Sequence, residues 1–134
     1  MIYVLDACAM IALLRREPGE AIVWDCLSDP AATCYAHAIN LCEVFYDFYR
    51  DRGEAAAQEA MNDLLSLGVV ERNDLDRDFW QAVGRLKAVH RRVSLADCCA
   101  VALTERVGGV LLTSDHHEFD PLAAQGVCPI TFIR

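Results

Sequence analysis

The sequence predicts an α/β fold in which a mostly parallel central sheet is flanked by helices. Three observations carry this. Short apolar, β-prone runs alternate along the chain with longer stretches of helical spacing. The runs at 2–5 and 110–114 lack the polar alternation of a half-exposed strand, as strands buried on both faces do. The 134 residues are 54% hydrophobic and 24% charged, which suits one globular domain over 1–134 and excludes a disordered chain.

Ile2-Tyr3-Val4-Leu5 reads as the first strand and ends at Asp6. A helix follows to about Arg16, stopped near Pro18-Gly19, and a second covers 19–28. Thr33–Ala36 is a short strand. Asn40 to about Arg52 reads as a helix, and Glu54–Ser66 as another after Gly53. Val69-Val70-Glu71 is a brief strand. Leu75, Phe79, Val83, Leu86 and Val89 give 75–91 a helical period. Ser94 opens an apolar helix that runs to about Val107 and stops at Gly108-Gly109. Val110–Ser114 is a buried strand with Asp115 directly after it, and Ile130–Ile133 closes the sheet. No regular element is assigned between them. The chain has no linker, repeat or low-complexity tract.

The opening apolar run is broken by Asp6 and followed by Arg15-Arg16, the reverse of a signal peptide's charge order. No apolar stretch approaches the ~20 residues that span a bilayer. A cytoplasmic protein without a membrane segment is expected. Its seven cysteines are odd in number and scattered, with no CxxC pair, and read as small packing hydrophobes.

The net charge of −8 opposes nucleic-acid binding if charge alone decides. Its distribution argues otherwise. Eleven of the twelve basic residues are Arg, the better planar partner for phosphate, and Arg85, Lys87, Arg91 and Arg92 crowd into one stretch. Metal-bound acids would also repel a polyanion less than the bare count suggests.

Asp6 and Asp115 each stand just after a buried strand, where open parallel sheets gather their functional groups. Either could instead simply cap the helix that follows. Asn40-Leu41-Cys42-Glu43 and Ser94-Leu95-Ala96-Asp97 both set an N-cap residue three positions before an acid, the spacing of a capping box. A carboxylate held in that way is also oriented as a metal ligand must be. Four such acids suit a hard cation, Mg²⁺ or Mn²⁺.

These same residues carry a family resemblance. Asp6 after an apolar strand, helix-borne Glu43, Ser94-Leu95-Ala96-Asp97 and Thr113-Ser114-Asp115 resemble the PIN-domain nucleases, in the short form of VapC-like toxins from toxin–antitoxin pairs. The likeness covers nearly the whole chain. It implies a PIN-like three-layer sandwich, Mg²⁺ or Mn²⁺ held by Asp6, Glu43, Asp97 and Asp115, and hydrolysis of RNA phosphodiesters to 5′-phosphate and 3′-hydroxyl ends. It also implies a homodimer and a cognate small antitoxin protein. One departure is Cys8, where the family often has Ser or Thr; the missing hydroxyl weakens support of the metal or a substrate contact.

Thr113, Ser94 and Glu118 are supporting residues in this reading, with an ordinary strand-end hydroxyl, a helix cap and a solvated loop charge as their plainer alternatives. His116-His117 invites zinc, but adjacent histidines point apart and no partner ligand has suitable spacing. Arg85, Lys87, Arg91 and Arg92 are candidate RNA-phosphate contacts, or else a solvated helix face. Trp24, Leu27, Phe45, Tyr46, Phe48 and Tyr49 are expected to wall a groove for the antitoxin's apolar segment, with an antitoxin Arg or Lys entering the acidic pocket. Two rival classes stay open: a PIN-fold nuclease outside any toxin system, acting on DNA or maturing ribosomal RNA, and a non-catalytic binding module whose acids only cap helices.

Overall fold

The computed structural model describes residues Met1–Arg134. Five strands, β1 (Ile2–Leu5), β2 (Thr33–His37), β3 (Val69–Arg72), β4 (Val110–Thr113) and β5 (Ile130–Phe132), form one sheet in the order β3-β2-β1-β4-β5. Every pairing is parallel. Seven helices connect and cover it: α1 (Ala7–Leu14), α2 (Glu20–Ser28), α3 (Ala38–Arg52), α4 (Glu54–Ser66), α5 (Arg77–Val89), α6 (Leu95–Val107) and α7 (His116–Ala124). None is long and apolar enough to cross a membrane.

Successive strand residues face opposite sides, so the sheet feeds two cores. Leu5 and Leu112 pack with α1 to α4, whereas Val4 and Leu111 pack with α5 to α7. The result is the three-layer α/β sandwich expected from the alternation of elements. The apolar residues of α6 lie almost wholly inside: Cys98 to Leu103 are all buried, which explains the sequence's dense apolar run there.

The strand order positions the site. From β1 the chain grows outward to β3, then crosses back to lay β4 on the other flank of β1. The strand order reverses between β1 and β4, the point at whose carboxyl-end edge open α/β sheets gather their functional groups. Two glycines permit the close pairing. Gly108 ends α6 in the left-handed region (φ 64°), and a Cβ on Gly109 would lie 2.8 Å from the Ile2 carbonyl oxygen.

Several boundaries differ from the sequence reading. The helix α1 stops at Leu14, two residues early, because Arg16 takes a positive φ of 53°. Asp76 caps α5, so Leu75 lies outside it. The capping-box reading at Asn40 is corrected: α3 starts at Ala38, and its N-cap is His37, whose Nδ1 accepts from the Ile39 amide (3.1 Å). Asn40 is thus a buried helical residue, and Glu43 sits a turn deeper than expected. The segment after Asp115 is the helix α7, which the sequence reading leaves unassigned. It contains Pro121 and buries only Phe119 and Leu122, too little for a legible period.

Candidate metal centre

Asp6 leaves the end of β1 and caps α1, its Oδ1 accepting from the Ala9 amide at 2.8 Å. Its Oδ2 accepts from the hydroxyl of Thr113 at the end of β4. Thr113 Oγ1 in turn accepts from the Asp115 amide (3.0 Å), so one hydroxyl couples the two strand-end acids. Asp115 caps α7, with Oδ1 accepting from the Glu118 amide at 3.1 Å. The plain capping role and the site role therefore coexist, since a carboxylate has acceptor capacity left after one cap bond.

Ser94 caps α6 as expected, accepting from the Asp97 amide (3.1 Å). The second half of the box is made differently. The Ser94 amide donates to Glu118 Oε2 at 3.1 Å, a reach across from α7. Asp97 is a methylene too short to be the usual closing residue of a box, and Glu118 does that work. The Asp97 carboxylate is left to approach those of Asp115 and Glu118.

Oxygens of Asp97, Asp115 and Glu118 come within 4.8 Å of one another. Asp6 and Glu43 stand outside that tight group but inside its field. Asp6 is buried, and its carboxyl is pushed up to about 7, first by burial and then by the charges of Asp115 and Glu43 against its hydrogen bonds. Burial also raises Asp97, with the neighbouring Glu118 carboxylate and repulsion from Asp6 adding to it; the coupling to Asp97 lowers Glu118. Glu43 is raised by burial and by Glu118. Cys8 lies among them: burial, Asp6, Asp115, Asp97 and Glu43 together push its thiol up to about 12.

None of these five carboxylates has a cationic partner. Several acids elsewhere are paired: Asp47 with Arg15 and Arg50, Asp74 with Arg72 and Arg106, Asp76 with Arg106, and Glu17 with Arg134. A cluster of partly buried, unpaired carboxylates is costly unless a cation joins it. The donor set is oxygen-rich and hard, which suits Mg²⁺ or Mn²⁺. A buried oxygen nearby also lacks a partner. Asn40 donates through Nδ2 to the Ala96 carbonyl (3.2 Å), tying α3 to α6 beside Asp97, while its Oδ1 is unbonded. The residues present fit a hydrated divalent cation.

The other expected residues disperse. Lys87 is occupied, its Nζ donating to the carbonyls of Arg91 (2.9 Å) and Val93 (2.7 Å). Arg85 faces a separate depression with Ala82 and Glu105. Arg91 and Arg92 line a cleft that reaches Glu118. His116 has both ring nitrogens engaged, by Asp120 and by the Arg134 carbonyl.

The six residues expected to wall one groove are spread along α2 and α3. Helices α2 and α3 each pack on α1, which divides the space between them. Trp24 borders one depression with Leu13 and Leu67, and Phe48 borders another with Leu14 and Arg52. Leu27 is half-buried against the core, whereas Tyr46 and Tyr49 are exposed and Phe45 tilts against Tyr49. Sequence reasoning took Asn40 only as a helix cap and His117 only within a zinc alternative; their places beside the site and in the cleft follow from how the helices dock.

No curated protein matches at the level of sequence. Solved structures do match in fold. VapBC2 from Rickettsia felis, bound to a DNA fragment from its promoter, superposes with a TM-score of 0.76 at 15% identity, covering 98% of each chain. DNA-bound VapBC from Salmonella typhimurium gives 0.75 at 16% identity, covering 100% of this chain and 99% of that one. VapC20 from Mycobacterium tuberculosis, a sarcin–ricin loop cleaving toxin, gives 0.70 at 22% identity, covering 90% of this chain and 95% of that one. The sequence model of the PIN domain matches residues 3–124, nearly the whole chain, and the protein belongs to the PIN-domain family.

Proposed function

We propose that this chain is a single-domain, divalent-cation-dependent endoribonuclease, the toxin of a toxin–antitoxin pair that inhibits translation. The observation that carries the reading is the unpaired carboxylate cluster at the point where the strand order reverses. The likeness in fold to VapC proteins, one of them a toxin that cleaves the sarcin–ricin loop, supports RNA as substrate.

Asp97, Asp115 and Glu118 would hold Mg²⁺ or Mn²⁺ directly, with Asp6 and Glu43 in direct contact or acting through coordinated water. A cation held there would supply a water of lowered pKa and offset charge on the phosphodiester. The protein's own residues do the orienting. Thr113 fixes Asp6 relative to Asp115. Ser94 and Glu118 fix the first turn of α6, and with it Asp97.

The partner in this reading is a small protein with a DNA-binding half and an apolar tail. The tail lies along α2 and α3 and ends in an Arg or Lys among the carboxylates. Complexes of similar folds with antitoxins on DNA support it. A homodimer, checked by light scattering, and a cytoplasmic location belong to the same reading.

The test is sequencing of RNA ends after brief expression of wild type beside Asp6→Asn. New 5′-phosphate ends at discrete sites, absent from the variant, support the reading. Identical end profiles refute it.

A further inference from the structure

We propose that the cleft between the 90–93 loop and the start of α7 is a nucleotide subsite, holding the unit of a single-stranded nucleic acid that flanks the phosphodiester at the carboxylate cluster. The inference rests on the nuclease reading and extends it to Arg91, Arg92 and His117.

The cleft encloses about 370 Å³ and shares one wall, Glu118, with the carboxylate cluster. A polymer engaged at the cluster therefore runs into it. That volume is near the lower end for small-ligand sites, suitable for one nucleotide and too small for a folded element. Its apolar side is Val89, Val93 and Leu122; its polar side is Arg91, Arg92 and His117. An apolar floor beside planar cations is what a base and its phosphate need.

Five arginines, Arg16, Arg77, Arg85, Arg91 and Arg92, have no carboxylate partner, and of these only Arg91 and Arg92 line the cleft that reaches Glu118. Arg15, Arg50, Arg52, Arg72, Arg106 and Arg134 all pair with carboxylates, in a chain that carries a net charge of −8. Arg91 and Arg92 are exposed and have no carboxylate partner despite that surplus of acid. Their backbone is nevertheless held. Lys87 bonds the carbonyls of Arg91 and Val93, and the Val93 amide donates to the His90 carbonyl at 3.0 Å. The loop is thus fixed while its guanidinium groups are free, a pre-organised anion contact. Lys87, read from sequence as a phosphate ligand, is a positioning residue for the two that follow.

The experiment measures binding of a fluorescein-labelled eight-nucleotide RNA by anisotropy, in Mg²⁺, with the Asp6→Asn protein so that the probe survives. Adding Arg91→Ala and Arg92→Ala together should weaken binding about tenfold or more and flatten the salt dependence by about 1.4 in slope, two contacts on a single strand. Arg77→Ala, at the opposite end of α5, should change it by no more than about twofold. In the active background the double variant should raise KM more than it lowers kcat.

Equal loss in the Arg77 control, or a double variant that binds and cleaves as its parent does, overturns the subsite. No measurable binding of RNA or DNA by the parent also overturns it. Arginine-dependent binding of single-stranded DNA without RNA cleavage would keep the subsite and remove the ribonuclease reading. Asp6-dependent RNA cleavage indifferent to Arg91 and Arg92 would do the reverse.

Discussion

Glu118, on the first turn of α7, accepts a hydrogen bond from the backbone amide of Ser94 at the start of α6. A carboxylate from one helix therefore closes the cap of the next, and both helices also carry site acids. The bond fixes the separation between Asp97 and Asp115.

Glu118 should accordingly show two separable effects. Glu118→Gln keeps an acceptor for Ser94 but removes a charge, so the fold should persist while Mg²⁺ affinity and cleavage fall about 10- to 100-fold. Glu118→Ala should lose the same activity and also about 1 kcal/mol of stability, from the lost cap bond. Isothermal titration with Mn²⁺ and thermal melts measure both. Full activity in the Gln variant would return Glu118 to the status of a loop charge.

The four acids expected from sequence should behave as one unit. Asp6→Asn, Glu43→Gln, Asp97→Asn and Asp115→Asn should each cost at least ~10²-fold in cleavage while the protein stays folded. Near wild-type rates in any two would refute a shared centre.

The pH dependence has a definite sign. Burial lifts Asp6 from 3.8 to about 7 in the metal-free fold, and Asp97 shifts in the same direction. The folded state then binds more protons than the unfolded chain between those limits. The stabilisation is complete below the unfolded pKa and is lost as pH rises through the folded one. In EDTA, stability should fall between about pH 4 and about pH 7, by up to about 1.4 kcal/mol per pH unit for each proton involved, and Tm should fall with it. Mg²⁺ should restore more Tm at the alkaline end, where the carboxylates are charged. A flat or rising Tm in EDTA would contradict the buried, unpaired geometry.

The thiols should differ in reactivity. Cys8 is held neutral by burial and the surrounding carboxylates, whereas Cys42 is the exposed cysteine. Limiting thiol reagent on the native protein should label Cys42 first and Cys8 slowly, because the thiolate is the reactive form. Peptide mapping reads this directly. Rapid modification of Cys8 would place it outside the acidic cluster.

Partner binding should depend on the exposed face of α3. Phe45→Ala with Tyr49→Ala should weaken capture of the small partner by a few kcal/mol and leave RNA cleavage largely intact. A binding titration with the partner purified from the native host measures it. Equal affinity would remove α3 from the interface.

By itself the sequence determined the layer architecture, because strand and helix periods are local and each buried run names its own element. It also determined which acids lie at strand ends: Asp6 directly follows β1 and Asp115 comes two residues after β4, and in a parallel sheet those ends share an edge. Only the tertiary structure decided what those acids meet. Sequence spacing gave Asn40 to Glu43 as a cap, but His37 takes that role through its ring nitrogen, and Asn40 instead ties α3 to α6. Glu118 joined the tight group because α7, a helix with almost no periodic signal, folds its first turn back onto Ser94. The basic stretch divided likewise: Arg85, Lys87, Arg91 and Arg92 are neighbours in sequence, yet loop geometry turns Lys87 onto its own backbone and leaves two arginines beside the acids. Local pattern fixes where an element lies and which way it is buried. Contacts between residues remote in sequence depend on how elements are docked, and no local period encodes that.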